Sequence, residues 1–390
     1  NRVCAQIDLD AIAYNMEQMK DQIGKEARLI AVIKTDGYGH GAVPIARMFE
    51  TFSYVWGYAV ACIEEAVSLR KEGIKKPILV LGCVFPDQYE TMIKNEIRAA
   101  VYTKEMAEGM SDEAVRQGKN AYFHIKIDTG MGRIGFPVNS ESVNLIEEIS
   151  KLPNIHMEGL FTHFAKADEK EKSYTLKQHE RFLWMKEQLE KRNVDITYYD
   201  CDNSAGIIDF PNLKHDLARA GISTYGMYPS DEVQKSNVHL KPALSLISHI
   251  TFVKEVEAGT PISYGGTFVA PEKMKIATIP VGYGDGYPRN LSNKGYVLIN
   301  GKKCNILGRV CMDQFMVDVT GMDVKEGDKV TLAGKDGSEE ILIDDLATLA
   351  GTFNYEFVCD LGKRVPRVFV KDGKIVGTKD YFEDDYEVEI

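Results

Sequence analysis

Short apolar runs alternate with amphipathic stretches along the first 240 residues of the chain. An unbroken apolar run is typical of a strand covered on both faces, as in a parallel sheet. Apolar residues at helical spacing, as in residues 63–70, indicate helices between the runs. The pattern predicts eight strands, at residues 29–34, 54–60, 77–82, 98–102, 121–128, 157–164, 196–203 and 215–221. Eight strand–helix units in this length predict a (β/α)8 barrel.

From residue 241 onward, an alternation of apolar and polar residues replaces the longer apolar runs. Asn-Gly and Asp-Gly turns favour hairpins between strands at 244–248, 276–281, 296–300 and 329–332. One short helix is expected at residues 343–350. The sequence therefore predicts an α/β protein with an N-terminal (β/α)8 barrel at 1–240 and a C-terminal, mostly antiparallel β domain at 241–390.

The composition narrows the range of possible functions. A chain of 390 residues with 44% hydrophobic residues can bury an ample core, and its net charge of −11 disfavours nucleic acid or an anionic membrane as a partner. No apolar stretch is long enough to cross a bilayer and no signal peptide opens the chain, so we expect a cytoplasmic protein. Seven cysteines and eight histidines are dispersed without metal-ligand spacing, which predicts neither a disulfide frame nor a bound metal.

The carboxyl ends of the predicted barrel strands carry the candidate chemistry, because active sites of this fold lie there. Lys34 ends the first strand. A lysine that is held rigidly and partly dehydrated loses its proton more easily and becomes nucleophilic near neutral pH. The other strand ends contribute a carboxylate, two arginines, a histidine and a hydroxyl, namely Asp128, Arg133, Arg219, His163 and Ser204.

A phosphate site is expected where the last two barrel strands end. Phosphate in this fold is commonly held by the loops after the seventh and eighth strands, and Ser204 and the backbone of Gly221 and Ile222 lie there. An imine-forming amine beside a phosphate cradle is what pyridoxal 5′-phosphate requires. Each residue alone has a simpler interpretation, such as a surface lysine for Lys34 or a core histidine for His163. Their combination favours the cofactor.

Six segments, taken in order along the chain, resemble motifs of the alanine racemase family. They are residues 31–41, 126–133, 219–223, 262–265, 308–313 and 364–367. The resemblance implies an N-terminal barrel, a C-terminal β domain, and a head-to-tail homodimer with shared active sites that act on an amino acid. One departure is Thr35-Asp36-Gly37, where many relatives carry Ala-Asn-Ala. This segment adjoins Lys34 but contains no residue that has an implied role.

The resemblance also implies a role for each matching residue. Lys34 would carry pyridoxal phosphate, and Arg219, with His163 beside it, would lie against the pyridine nitrogen. The phosphate would be held by Tyr38, Ser204, Gly221, Ile222 and Tyr355. The substrate carboxylate would be bound by Arg133 and the Met312 amide. Lys126 matches a position that is carbamylated in some relatives, where it orients that arginine, and Tyr283 would narrow the pocket around a methyl group.

Racemisation explains why two bases are needed. One group must remove a proton from one face of the α-carbon while another returns a proton to the opposite face. Lys34 and Tyr264 are the expected pair, and the resemblance puts Tyr264 on the neighbouring subunit. A free phenol has a pKa of about 10, so action near neutrality needs about 4 kcal/mol of phenolate stabilisation. Arg219, coupled through His163, is the expected source of it.

An arginine at the pyridine nitrogen would be informative in itself. A guanidinium is always charged and cannot accept a proton, whereas many pyridoxal enzymes place a carboxylate there. Proton return to the α-carbon is then favoured over transamination. The expected function is therefore an alanine racemase that supplies D-alanine for peptidoglycan.

Three other functions compete with this one. A serine or broad-specificity racemase stays open, because one hydroxyl changes binding by only about 1–3 kcal/mol in a pocket that merely excludes it. A decarboxylase of the same architecture would be expected to carry an acidic partner for the pyridine nitrogen, which Arg219 speaks against. A non-enzymatic cofactor-binding protein needs only a barrel, and the complete second domain speaks against that.

Overall fold

The structure, a computed structural model, describes residues 2–381. The chain divides into two compact units. The barrel unit contains Ala13–Gly37 and Ala42–Leu240. The β unit contains the residues up to Ile12, the segment Tyr38–Gly41 and the residues from Lys241 onward. Strand β1 (Val3–Asp8) belongs to the β unit.

The barrel unit contains a set of parallel strands. They are β2 (Arg28–Val32), β3 (Val55–Val60), β4 (Ile78–Val80), β5 (Arg98–Val101), β6 (Ala121–Asp128), β7 (Phe136–Pro137), β8 (Ile155–Phe161), β9 (Tyr198–Asp200) and β10 (Leu217–Ala220). All but the short β7 form a ring in the order β5-β4-β3-β2-β10-β9-β8-β6, which the pairing of β6 with β5 closes. The predicted (β/α)8 barrel is therefore confirmed.

Each of the eight predicted barrel strands is present, but six of them end one to three residues earlier than expected. β2 ends at Val32 and β8 at Phe161, so Lys34 and His163 lie in the segments that follow the strands. Ile33 and Thr162 remain buried after the last paired residue. The apolar pattern reports burial, and burial here extends beyond the strand pairing.

Helices connect the barrel strands. They are α1 (Leu9–Ile23), α2 (Ala42–Phe49), α3 (Ile63–Lys71), α4 (Tyr89–Lys94), α5 (Lys104–Gln117), α6 (Ser140–Ile149), α7 (Ser173–Lys191) and α8 (Ser204–Asp209). Thr103 and Asn139 cap α5 and α6, because their side chains accept hydrogen bonds from backbone N–H groups of the first turn. The longest of them, α7, buries Phe182, Met185 and Leu189 on one face.

The β unit is organised around one large sheet. Its later strands are β11 (Leu244–His249), β12 (Phe252–Val256), β13 (Pro261–Ile262), β14 (Phe268–Val269), β15 (Met274–Ile279), β16 (Tyr296–Ile299), β17 (Lys302–Leu307), β18 (Phe315–Asp318), β19 (Lys329–Asp336), β20 (Glu339–Ile341), β21 (Arg367–Lys371) and β22 (Lys374–Lys379). The sheet order is β12-β15-β18-β17-β16-β19-β11-β1-β21-β22, with β20 paired to β19 and β13 paired to β14 separately. Only β1 and β21 run parallel among these pairs, so the mostly antiparallel prediction is confirmed.

The predicted helix of the β unit is present as α9 (Ile343–Ala350). Several elements of the β unit were not predicted, including its first strand and its last helix. Strand β1, at the start of the chain, joins the sheet between β11 and β21. Helix α10 (Asn354–Cys359) has only 6 residues, which is shorter than the window in which apolar spacing identifies a helix. No helix within residues 2–381 combines the length and the apolar character that crossing a bilayer requires.

Candidate active site

Lys34 begins a left-handed turn directly after the first barrel strand. Thr35, Asp36 and Gly37 have φ values of 53°, 50° and 64° with ψ values between 44° and 50°. A threonine rarely adopts this conformation, because its branched side chain is crowded there. Asp36 Oδ1 accepts a hydrogen bond from the Ala42 amide at 2.9 Å, and the Gly37 amide donates to Ile33 O at 2.8 Å. Hydrogen bonds of the nearby residues Ile33 and Asp36 therefore hold the backbone around the half-buried Lys34 in place.

Arg219 lies buried at the end of the last barrel strand. Its Nη1 donates to Asp200 Oδ2, and its Nη2 donates to Thr162 O at 2.7 Å and to Cys201 O at 3.3 Å. Nη2 also lies 3.4 Å from His163 Nδ1. The neighbouring strand and loop therefore fix the guanidinium next to His163.

His163 lies close to the predicted cationic residues of the barrel. Burial holds the pKa of His163 well below its usual range, and the positive charges of Arg219, Arg133, Lys126 and Lys34 lower it further. Charges interact strongly in a buried site because solvent screens them little there. The structure thus brings these five predicted residues into one cluster in which His163 is neutral near pH 7.

Lys126 is a buried lysine on β6. Its side chain is 3% exposed, and Nζ donates to Ile127 O at 2.9 Å and to Ile134 O at 3.3 Å. Burial, helped by the charge of Arg219, lowers the pKa of Lys126 to about 8. A substantial fraction of this side chain is therefore the neutral, reactive amine in mildly alkaline solution.

The loop that carries Arg133 folds around Asp128. The Asp128 carboxylate accepts hydrogen bonds from the amides of Gly130, Met131 and Gly132 at 2.9–3.1 Å. These bonds lower the pKa of Asp128 although burial opposes them. The arrangement closes a tight turn and leaves the Arg133 side chain exposed to solvent.

The predicted phosphate residues of the barrel also lie together. Ser204 Oγ accepts hydrogen bonds from the Gly221 amide at 2.9 Å and the Ser223 amide at 3.4 Å. Ile222 begins the short 3-10 helix Ile222–Tyr225 and is fully buried. Within the described residues, the buried hydroxyl of Ser223 has no hydrogen-bond partner. A hydroxyl, backbone amides and an unsatisfied buried donor suit an anionic group.

The β unit carries the remaining predicted residues. The Tyr38 and Tyr355 rings lie 6.1 Å apart, and burial raises the pKa of Tyr38. Tyr283 and Met312 are neighbours, because the Gly284 amide donates to Met312 O at 2.8 Å. The side chains of Tyr264, Tyr283 and Met312 are 71%, 43% and 52% exposed. Large aromatic and thioether groups are therefore presented at the surface of this unit.

Sequence reasoning missed two buried groups next to the predicted cluster. Asp200 pairs with Arg219, and Gln178 on α7 bonds to Thr129 and His163. The run Asp200-Cys201-Asp202 was a usable signal, because two carboxylates at a buried strand end require a cation nearby. Gln178 carried no comparable signal. Across residues 2–381 no group of three or more His, Cys, Asp or Glu side chains is arranged to hold a metal ion.

The fold and these side chains define a class of protein: a barrel enzyme with a lysine after its first strand, a buried arginine at the end of its last strand, and a separate β domain. Comparison with known proteins then gives the family. The sequence model of the alanine racemase N-terminal domain matches residues 7–229, and that of the C-terminal domain matches residues 243–369. The chain belongs to the alanine racemase family, whose members are pyridoxal-phosphate-dependent isomerases. The family predicted from the motifs is confirmed.

Individual relatives agree over the full length. The chain is 46% identical to an alanine racemase of Clostridium tetani over 381 residues, covering 97% of this chain and 98% of the relative. It resembles the structure of an alanine racemase from Clostridium difficile 630 with a TM-score of 0.94 and 42% identity, covering 98% and 99% of the two chains. It also resembles an alanine racemase from Bacillus anthracis with bound L-Ala-P, with a TM-score of 0.92 and 37% identity, covering 99% of each chain.

Proposed function

We propose that this protein interconverts L-alanine and D-alanine with pyridoxal 5′-phosphate attached at Lys34. The observation that carries the proposal is the family match across both domains, from residue 7 to residue 369. The cluster of Lys34, Lys126, Arg133 and Arg219 around His163 supports it, because it supplies the cations that an amino acid carboxylate and a phosphorylated cofactor require.

The residues present fit this cofactor. We assign the phosphate to Ser204 and the backbone of Gly221 and Ile222. The Ser204 hydroxyl lies against the Gly221 amide, and Ser223 adds a hydroxyl that is unsatisfied among the described residues. We assign Tyr38 and Tyr355 to the same phosphate, as the family motifs imply. When bound, pyridoxal phosphate supplies an electron sink that acidifies the α-proton of an amino acid.

Arg219 is assigned to the pyridine nitrogen. Its guanidinium stays charged at any working pH and cannot give up or take a proton there. Its contact with Asp200 fixes the orientation of the group and offsets its charge. The proton that leaves the α-carbon is therefore returned to that carbon, and transamination is suppressed.

Two bases complete the reaction. Lys34 serves one face of the substrate, and Tyr264 of the partner subunit serves the other. The exposure of Tyr264 in the single chain, 71%, leaves its phenol available to a second copy. The protein would thus act as a homodimer with shared sites, in which residues 241–390 of one copy complete the barrel site, formed by residues 1–240, of the other.

The substrate is held by its carboxylate. Arg133, exposed at the end of its tight turn, offers a bidentate guanidinium, and the backbone amide of Met312 offers a further donor. Lys126, once carbamylated, would orient Arg133 from the adjoining strand. Tyr283 narrows the pocket around the substrate methyl, which favours alanine over serine. A cytoplasmic enzyme of this kind would supply D-alanine for peptidoglycan.

Subunit mixing tests this proposal. A Lys34→Ala variant and a Tyr264→Phe variant, each inactive alone, should recover part of the wild-type rate after subunit exchange, because hybrid dimers contain one intact site. The control mixes Lys34→Ala with the double variant Lys34→Ala/Tyr264→Phe, which cannot rebuild a site. Borohydride reduction should fix the cofactor on Lys34, as read by peptide mass. Exchange without recovered activity, or a cofactor on another lysine, would overturn the proposal.

A further inference from the structure

Ser263, the residue before Tyr264, has a strained backbone. Its φ is 64° and its ψ is −176°. This region is almost restricted to glycine, because a side chain there collides with its own backbone. Of the non-glycine residues with positive φ, most are Asn, Asp or other residues in left-handed turns, where the conformation is tolerated. A serine in this conformation persists only if its surroundings hold it there.

The segment that holds Ser263 is the loop at residues 308–311. Ser263 Oγ donates to Arg309 O at 2.6 Å and lies 3.4 Å from Cys311 Sγ. Gly308 lets the two segments approach, because a Cβ at this position would lie 2.8 Å from Ser263 Cβ and 2.5 Å from Ile262 O. The Ser263 hydroxyl is therefore hydrogen-bonded to a loop in which Gly308 leaves room for this close approach.

The direction of the Tyr264 side chain depends on the hydrogen bond between Ser263 and Arg309. Its side chain is 71% exposed, so few contacts of its own fix where the phenol points. The turn continues through Gly265 and Gly266, with φ of 73° and 55°, and the Gly266 amide donates to Ser263 O at 3.1 Å. Flexible glycines follow Tyr264 in the chain, so the strained Ser263 that precedes it is the rigid element of the turn.

We propose that Ser263 is a positioning residue that aims the Tyr264 phenol through its bond to Arg309 O. The inference rests on the proposed function, in which Tyr264 is one of the two bases. Proton transfer requires the base within hydrogen-bond reach of the α-carbon proton, and small misplacements are costly. The hydroxyl of Ser263 thus contributes to the rate without touching the substrate.

Ser263→Gly separates this role from a purely structural one. Glycine adopts the observed φ and ψ without strain but lacks the hydroxyl, so the thermal unfolding midpoint should be unchanged or higher. The kcat for L-alanine should fall about tenfold to a hundredfold, with a smaller change in KM. Ser263→Ala removes the hydroxyl and keeps the strain, so it should lose both kcat and stability. If this variant does not fold, Ser263→Gly alone carries the test.

Asn300→Gly is the matched control. Asn300 has a φ of 52° in the hairpin turn between β16 and β17, within the same unit. Its replacement also releases left-handed strain, but kcat should stay at the wild-type value. A wild-type kcat for Ser263→Gly, or an equal kcat loss in Asn300→Gly, would overturn the positioning role.

A double variant distinguishes this inference from the proposed function. Solvent deuterium exchange at the α-carbon of L-alanine is measured for Tyr264→Phe, Ser263→Gly and the pair. If Ser263 acts through Tyr264, Ser263→Gly should cause no further loss in the Tyr264→Phe background. A full additional loss there would overturn the inference while Tyr264 keeps its role. A wild-type exchange rate in Tyr264→Phe would instead overturn the base assignment.

Discussion

Arg219 and Asp200 form a buried ion pair across the last two strands of the barrel. Nη1 of the arginine donates to Oδ2 of the carboxylate, and the two side chains are 3% and 2% exposed. Burial raises the pKa of Asp200 to about 6, and the guanidinium opposes that rise. Asp202, two residues on, is also buried, and burial together with the charge of Asp200 raises its pKa well above the usual range. Asp200 therefore carries the pairing with Arg219, whereas burial disfavours the charged form of Asp202.

This pairing predicts unequal effects for two similar substitutions. Asp200→Asn removes the partner of a buried guanidinium, so the free energy of unfolding should fall by about 3 kcal/mol or more. Asp202→Asn replaces a carboxyl whose charged form burial already disfavours, so it should cost much less. Urea unfolding of the two purified variants at pH 7 measures both values. Equal losses would show that Asp200 does not carry the charge balance of Arg219.

The two half-buried histidines His179 and His215 predict acid sensitivity. Their rings meet edge to face with centroids 5.1 Å apart. Burial, with the charge of His179, lowers the pKa of His215 from 6.5 to about 3. Because this pKa is depressed in the folded state, the unfolded chain takes up the proton more readily below pH 6.5. The stability that neutral His215 provides is thus present above that pH and is lost as the pH falls toward 3.

The measurement is unfolding free energy as a function of pH. Between pH 7 and pH 4, the stability of the wild type should decline more steeply than that of His215→Gln, which has no proton to bind. His156→Gln, a substitution of an exposed histidine, is the control and should keep the wild-type slope. Parallel curves for wild type and His215→Gln would contradict the prediction.

Lys126 is predicted to react with carbon dioxide as the pH rises. Its pKa of about 8, lowered by burial and by Arg219, leaves a growing fraction of neutral amine through that pH. Carbamylation would convert a buried cation into an anion beside Arg219, which stabilises the product. Carbon-13 NMR with labelled bicarbonate should show a carbamate signal that increases from pH 7 to pH 9 and disappears in Lys126→Met. A signal that is independent of pH or of Lys126 would exclude this modification.

The barrel could be predicted because its pattern is local. Each buried strand is a short apolar run, and its carboxyl end follows directly in the sequence, so Ser204 and Arg219 were placed from the chain alone. The Arg219–Asp200 pair could not be placed in this way, because it depends on the register in which Leu217 lies opposite Asp200. The left-handed turn after Lys34 could also not be predicted from the apolar pattern, since Thr35 has no local preference for this conformation.

The role of Gln178 could likewise not be predicted from the sequence, and a substitution of this residue gives the last prediction. Its side chain is fully buried on α7, where Nε2 donates to Thr129 Oγ1 at 3.2 Å and His163 O at 3.1 Å. Its Oε1 accepts from the Ala165 amide at 2.9 Å. One side chain thus joins the loop that leads to Arg133 with the loop that carries His163. Gln178→Met keeps the volume of the side chain but removes the partner of His163 O and of the Ala165 amide, and one of the two partners of Thr129 Oγ1.

The loss should appear first in substrate binding. Each unsatisfied buried group costs about 1–3 kcal/mol, so the loops separate and Arg133 no longer meets the substrate carboxylate at a fixed position. We expect KM for alanine to rise about tenfold at a temperature well below unfolding, with a smaller fall in kcat. Lys177→Met, one residue away on the exposed face of α7, is the control and should leave KM unchanged. A Gln178→Met enzyme that unfolds more easily but keeps the wild-type KM would mean that Gln178 stabilises the barrel without positioning Arg133.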